Sequence, residues 1–468
     1  MNVYLLVIIL YILIILLIGI SLRKYVKSSS DFFVGGRKFN TAFLFTTLIT
    51  ANIGAGSTVG VAGLGYRYGI SAWWWIGASA IGSLLLAFTV GPKIWRIASQ
   101  YNMYTLGDYL DHRYHAVFRL VMALMMAVGT MALFAGQLLG IAWILTVVAG
   151  TSKTVGVLIG ALVVSLYFIV GGILSSTVVN IFQLVMILSG FLIALPYSLQ
   201  HIGGWEQLTL LIEQGAPEKA EGYFSFTGIG LKQIIGYIFL LTPSFIISPG
   251  LIQKIFSAKN EQVVKTGTLL NAIVQLGFAF IPVVIGMVAF AAFPTLENQD
   301  LALPMVMKEM LPIWIGAIAL AAIFAAEVST ADSVLFMITS SLTKDIYGTF
   351  IRKEMNDQEL LKVSRVITVL SGIASVILAL FLQNIISSLS IFYTLMSVAL
   401  TAPLIFGLYS KGASTTAAVL SSGLGIVVTL WVRVVTDNQG YFLFTPQAIG
   451  MLISIGLMLT AVLIYPKK

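Results

Sequence analysis

The sequence predicts an all-α polytopic membrane protein with thirteen transmembrane helices, and three observations carry that prediction. Hydrophobic residues make up 59% of the 468 and charged residues only 9%, where an average soluble domain carries roughly 25% charged. Apolar runs near the length that crosses a bilayer, about 20 residues, recur along the chain without the roughly ten-residue alternation of a barrel strand. Hydrocarbon offers no water to loose N–H and C=O groups, so such runs must be helices. Finally, basic residues collect in alternate gaps between the runs, as the positive-inside rule requires.

The thirteen runs have cores at 3–22, 41–65, 70–91, 118–148, 155–174, 177–197, 231–250, 266–293, 312–342, 364–383, 389–409, 413–433 and 445–465. The first is preceded only by Met1 and Asn2, and its basic flank (Arg23, Lys24, Lys27) follows it. A secretory signal has the reverse order, so this run reads as a retained span with the N-terminus outside. Alternating from there leaves only Arg67, Lys153, Lys219, Lys232, Lys308 and Arg433 of the 26 basic residues outside or at its edge. The expectation is a multi-pass protein of the plasma membrane, N-terminus outside and C-terminus inside, with residues 1–468 forming a single membrane domain. Residues 199–230 and 294–311 fall outside. The segment Leu301–Met310 is short and amphipathic and is expected to lie on the membrane surface. Trp73, Trp74 and Trp75 read as an interfacial belt.

Composition removes several function classes. The net charge of +8 sits in the gaps and forms no recognition helix, so nucleic acid is not an expected partner; lipid is. The absence of cysteine removes thiolate nucleophiles and Cys-based metal sites. His112, His115 and His201 are the three histidines, all in loops and without zinc spacing, so no enzyme chemistry is expected. A channel would need a ring of pore-lining groups, whereas the polar residues here gather at one asymmetric place.

That place is marked by spans that depart from apolar regularity. The second reads Thr50-Ala51-Asn52-Ile53-Gly54-Ala55-Gly56-Ser57-Thr58-Val59-Gly60. Small residues allow close helix packing; the same composition also suits a discontinuous helix whose freed carbonyls take a cation and whose freed N–H groups face a solute. In the ninth span stand Glu327 and Asp332, the two acidic residues at mid-span, where a charge costs at least about 2.5 kcal/mol. At 100° per residue, Ala326, Ser329, Thr330 and Ser333 share a face, flanked by Asp332 and Glu327. Hydroxyls and a carboxylate are hard ligands suited to an alkali cation; a self-satisfied polar network is the alternative. The seventh span, with Pro243 and Pro249, cannot be a regular helix throughout. Disrupted spans five apart are the spacing of two inverted five-helix repeats with a site between them.

Several segments resemble the sodium:solute symporter family, and in their order and spacing the resemblance covers nearly the whole chain. They are Asp31-Phe32-Phe33-Val34-Gly35-Gly36-Arg37, Tyr104-Thr105-Leu106-Gly107-Asp108-Tyr109-Leu110, Gly171-Gly172, Gln253-Lys254-Ile255-Phe256-Ser257-Ala258-Lys259 and Ser340-Ser341-Leu342-Thr343-Lys344-Asp345-Ile346-Tyr347. The resemblance implies the amino-acid transporter fold: an extra helix at 3–22, a first inverted repeat at 41–197, a second at 231–409, and two C-terminal helices at 413–465. It implies sodium as the coupling ion, held by carbonyls and hydroxyls at Thr50, Ile53, Ala326, Ser329 and Thr330. Many members carry an aspartate two residues before an apolar-aromatic-Gln pattern in the sixth span; here that position is Asn180, ahead of Ile181-Phe182-Gln183. The carboxylate has then moved to the ninth span, and a second cation site would comprise Asn180, Ser329, Asp332 and Ser333.

The resemblance also implies a small organic solute imported by alternating access. Galactose-type members have an acidic residue in the third span and a tyrosine gate in the seventh, where this chain has apolar residues and Ser244, so sugar is disfavoured. No Lys or Arg is placed at mid-span to pair with an anion, which leaves the N–H groups of a broken helix to do so. The expected solute is a zwitterion or monocarboxylate lined by Gly56, Ser57, Gln137, Ser244 and Gln275. The alternatives are a proton-coupled carrier of a cationic solute held by Glu327, or a transporter-like sensor or receptor.

Overall fold

The computed structural model describes residues 2–22, 33–170, 173–352 and 356–464. Arg23, Lys24, Lys27, Asp31, Phe32, Gly171, Gly172, Lys353 and residues 465–468, which bear on the expected topology and motifs, lie outside them. Twenty-two α-helical segments follow one another: α1 (Val3–Leu22), α2 (Thr41–Asn52), α3 (Val59–Tyr68), α4 (Trp73–Phe88), α5 (Val90–Gln100), α6 (Leu106–Tyr114), α7 (Ala116–Ala149), α8 (Lys153–Val170), α9 (Ile173–His201), α10 (Gly204–Gly215), α11 (Pro217–Tyr223), α12 (Leu231–Ile247), α13 (Pro249–Ile255), α14 (Glu261–Phe278), α15 (Phe280–Ala292), α16 (Ala302–Glu309), α17 (Ile313–Ser340), α18 (Asp357–Phe381), α19 (Ile385–Leu395), α20 (Thr401–Tyr409), α21 (Thr415–Val435) and α22 (Pro446–Ile464).

Among the described residues, eleven helical stretches are long and apolar enough to cross a membrane, with Thr41–Asn52 and Lys153–Leu166 as shorter apolar helices beside them. Two of the thirteen expected runs merge into one stretch, and the fifth, at 155–174, extends beyond the described residues. The second run is split, and its outer half continues through a tight turn at Gly69–Ala72 into the third, making one stretch, Val59–Phe88. The turn needs Gly69: its φ is +65°, and a Cβ there would stand 1.9 Å from the Tyr223 carbonyl oxygen.

The bundle is organised around α17. Every residue from Ala319 to Ser340 is buried, enclosed by α1, α2, α7, α9 and α18. At the periphery, α1 and α22 are only 22% buried over their apolar windows; their leucines and isoleucines face outward, as lipid-facing side chains must. The seventh run breaks later than its first proline suggests. Helix α12 runs through Pro243 and stops at Ser248, whose φ of −51° and ψ of 120° are extended. That is the conformation a residue takes before proline, and Pro249 then opens α13.

The two ends of the bundle are tied differently. At one, the described parts of four of the segments carrying the family resemblance come together. Arg119, on α7, places Nη2 2.7 Å from Asp108 Oδ1 and 2.8 Å from Asp345 Oδ1, with Nη1 3.3 Å from Asp111 Oδ2. Thr105 caps α6 and donates its hydroxyl to Asp345 at 2.6 Å. Arg37 donates to the carbonyls of Met103, Ala98 and Phe256, beside the Phe39–Ala258 bridge. At the other end, α16 turns Leu303, Val306 and Met307 into the protein against α3, α15 and α17. The segment therefore turns its apolar face into the bundle. Just before it, buried Asp300 accepts the Ile385 N–H at 3.0 Å on Oδ2, helping to cap α19.

Burial pushes the Asp300 carboxyl up to about 6. The folded state then holds a proton that the unfolded chain releases near 3.9. Stability from this group is present below the unfolded value and is lost as pH rises through about 6. Thermal unfolding in detergent should show a decline between pH 4 and pH 6 that is absent from Asp300→Asn. A variant with the unaltered slope assigns the dependence to other groups.

Candidate cation and solute site

The break in the second run is built from its own hydroxyls. Helix α2 ends at Asn52, and Ile53 leaves helical geometry with φ −94° and ψ 87°. Ser57 Oγ then donates to the Asn52 carbonyl at 2.7 Å and accepts the Gly54 N–H at 3.0 Å. The Gly54 carbonyl accepts from the Ser57 and Thr58 amides at 2.9 and 3.0 Å and lies 2.9 Å from the Thr58 hydroxyl. The Ala55 N–H reaches across to Gln137 Oε1 on α7 at 2.8 Å. Polar backbone at membrane depth is thus satisfied inside protein, as it must be. Close approach is possible because residue 54 has no side chain: a Cβ there would lie 2.4 Å from Thr330 Oγ1 and 2.6 Å from Gln137 Oε1.

Against this break α17 presents its hydroxyl face. Ser329 Oγ and Thr330 Oγ1 lie 3.1 and 3.0 Å from the Thr50 carbonyl oxygen, and Ser329 Oγ is also 3.0 Å from the Ala326 carbonyl. Four of the five residues expected around a cation thereby bring oxygens together. Ile53 stands at the start of the break, and its carbonyl accepts no backbone hydrogen bond among the described residues. This is a neutral, all-oxygen set; among the described residues no His, Cys, Asp and Glu cluster that could hold a metal ion occurs.

Beside these oxygens lies a cavity of about 750 Å³, counting its open mouth. Gly56, Ser57, Gln137, Ser244 and Gln275, the five candidate solute residues, all line it, as does Thr330. They are not equally free. Ser244 donates to the Leu240 carbonyl at 2.6 Å and approaches the Tyr393 carbonyl at 2.9 Å. Gln275 bridges to α4, donating to Ser79 Oγ at 2.7 Å. Gln137 bridges helices through its carbonyl, which leaves its NH₂ for the cavity.

Three residues sit elsewhere than the sequence suggested. Trp75 is buried in the cavity wall, edge-on to Tyr237 and Tyr393 at ring distances of 5.3 and 6.1 Å. Only Trp73 and Trp74 sit partly exposed, bonded to loop or helix-end carbonyls, because successive helix positions turn by 100° and the third ring falls on another face. Glu327 does not line the cavity: it is fully buried behind the break, its Oε1 2.7 Å from Thr58 Oγ1. Lys254 is no loop residue. It is buried, lines the cavity and donates to Thr47 Oγ1 at 3.1 Å and Ser333 Oγ at 3.2 Å. The available signal was Pro249-Gly250: a helix that restarts after a break keeps its next turns at depth.

Around Asp332 lies a second group of buried polar side chains. Ser176 on α9 hydrogen-bonds one carboxylate oxygen, and Asn180 follows one turn later on the same face. Among the described residues, Asp332 Oδ1 and both amide atoms of buried Asn180 lack hydrogen-bond partners. Gln183 donates to the Tyr11 hydroxyl of α1 at 2.7 Å.

Comparison with known proteins agrees with this architecture. The chain is 27% identical over 456 residues to the sodium/pantothenate symporter of Escherichia coli, covering 93% of this chain and 92% of the relative. It is 23% identical over 451 residues to the sodium/glucose cotransporter of Vibrio parahaemolyticus, covering 87% and 80%. Its fold matches a sodium-coupled sialic acid symporter in a substrate-bound outward-open state, with a TM-score of 0.83 and 20% identity over 100% of this chain and 98% of the other. The model of the sodium:solute symporter family matches residues 32–425, and the chain belongs to that family.

Proposed function

We propose that the protein is a plasma-membrane symporter that uses sodium to import a small zwitterion or monocarboxylate by alternating access. The observation that carries this reading is the position of Thr330, which reaches the Thr50 carbonyl at 3.0 Å and also lines the cavity. An ion held by Thr50, Ile53, Ala326, Ser329 and Thr330 would join α2 to α17 and so fix the cavity wall. Solute and ion then each raise the other's affinity by the same factor, and the membrane potential adds about 2.3 kcal/mol per charge per 100 mV. To bind, sodium must replace the hydroxyl-to-carbonyl hydrogen bonds, turning the Ser329 and Thr330 lone pairs toward itself.

The cavity suits a carboxylate at one end. The Gly56 N–H makes no backbone hydrogen bond among the described residues, and the Gln137 NH₂ is a second donor; Trp75, Phe245 and Tyr393 supply an apolar wall. Pantothenate, the solute named for one of these relatives, is itself a monocarboxylate. With Glu327 behind the break, the cavity offers no carboxylate to a cationic solute.

The same reading takes the bundle as thirteen spans in one domain, N-terminus outside and C-terminus inside. One extra helix (3–22) precedes inverted repeats at 41–197 and 231–409, and two helices (413–465) follow. A second cation position is assigned to Asn180, Ser329, Asp332 and Ser333.

Uptake into proteoliposomes, screened over amino acids, monocarboxylates, sugars and quaternary amines with and without sodium, tests the proposal directly. Accumulation of a carboxylate-bearing solute only under a sodium gradient is the expected result; sodium-independent uptake would sink it. Thr330→Ala should weaken sodium affinity about tenfold, the loss of roughly 1.4 kcal/mol, and raise the apparent solute KM, read from sodium titrations of uptake. Gly54→Ala should abolish sodium-dependent uptake while the protein still reaches the membrane, since its Cβ displaces Thr330 and Gln137 together.

A further inference from the structure

Lys254 carries a charge that the proposed transport reading does not use. Its ammonium rests between α2 and α17, on Thr47 Oγ1 and Ser333 Oγ. Thr47 stands one turn before Thr50, and Ser333 one turn after Ser329, so this contact repeats the sodium position one turn along the same two helices. Ser333 gives its proton to the Ser329 carbonyl at 3.1 Å, which leaves a lone pair for the ammonium. Asp332 lies within electrostatic reach of Lys254, although no direct ion pair forms within 4 Å among the described residues.

A charge buried in a membrane protein must be paired. Asp332 needs a positive partner and Lys254 a negative one, and each acts electrostatically on the other. A sodium ion placed on Ser333 and Asp332 would meet a fixed ammonium sharing the same hydroxyl. We infer that the ammonium of Lys254 is the cation of the second position, tethered to the chain in place of a free ion, so that the protein binds one sodium rather than two. The inference rests on the sodium-symport reading.

Sodium alone is the probe. Equilibrium binding of radioactive sodium to the purified full-length protein in detergent counts ions per chain, with N-methylglucamine chloride holding ionic strength constant. The wild type should bind one ion with a Hill coefficient near 1. Lys254→Met should bind two, the second lost again when Asp332→Asn is added, and Lys254→Arg should bind one. Two ions in the wild type, or a single ion in folded Lys254→Met, overturn the inference. The wild-type count decides even if Lys254→Met does not fold. A wild type that binds no sodium defeats the sodium reading itself, whereas two ions leave that reading standing.

Discussion

A carbonyl at residue 50 that faces two hydroxyls of a neighbouring helix is the contact on which the centre of this molecule depends. Helix α2 ends two residues later, so its last carbonyls lose their helical partners. In hydrocarbon an unpaired peptide group costs several kcal/mol, and the loss has to be offset by protein. Ser329 and Thr330 meet the Thr50 carbonyl, Gln137 meets the Ala55 amide, and Ser57 folds back onto Asn52. Each partner lies on an element with its own reason to be at that depth. Most of the break is satisfied by these partners, while the Ile53 carbonyl and the Gly56 N–H make no backbone hydrogen bond among the described residues.

The two ends of the bundle are held by interactions of different character. Arg119 joins three aspartates from α6 and the turns after α17, a charged clasp whose separation would strand the buried Asp345 carboxylate. The opposite end relies on the apolar face of α16 and on Asp300 capping α19. Alternating access requires each end to open in turn. An ionic clasp can open where water enters to solvate the freed charges, while an apolar face opens by sliding intact. The different chemistry of the ends suits a carrier whose two faces open on different sides of the membrane.

Much of this was legible in residues. The hydroxyls at 329, 330 and 333 could be set on one face by helical geometry alone, and the Gly-Ser-Thr run at 54–58 announced a break. What escaped was decided by where backbones turn. Lys254 reads as a loop cation until α13 is known to restart at Pro249. Trp75 reads as one of three interfacial rings until Tyr237 and Tyr393 are seen packed against it. Glu327 and Asp332 read as equal mid-span carboxylates, yet one is held by Thr58 behind the break and the other faces α9 and Lys254. Spacing along one helix assigns its face; only the packed neighbours say which face meets the cavity.

The charge balance of the core bears on what the carrier can move. On the proposed pairing of Lys254 with Asp332 the empty site is close to electroneutral, and Glu327 lies outside the cavity lining. One sodium then brings a single positive charge. A monocarboxylate solute cancels it, so the loaded carrier crosses with no net charge and the membrane potential does no work on that step. A zwitterion leaves the charge standing, and the potential drives the loaded step directly. The difference is physical rather than semantic: for a carboxylate cargo the sodium concentration gradient alone supplies the drive, and accumulation is limited to the ratio of sodium concentrations. For a zwitterion the limit rises by the factor the potential contributes, about fifty-fold per 100 mV for one charge. Fixed charges return with the empty carrier and cancel over the cycle, so on the proposed assignment Lys254 bears on accumulation through the sodium count alone.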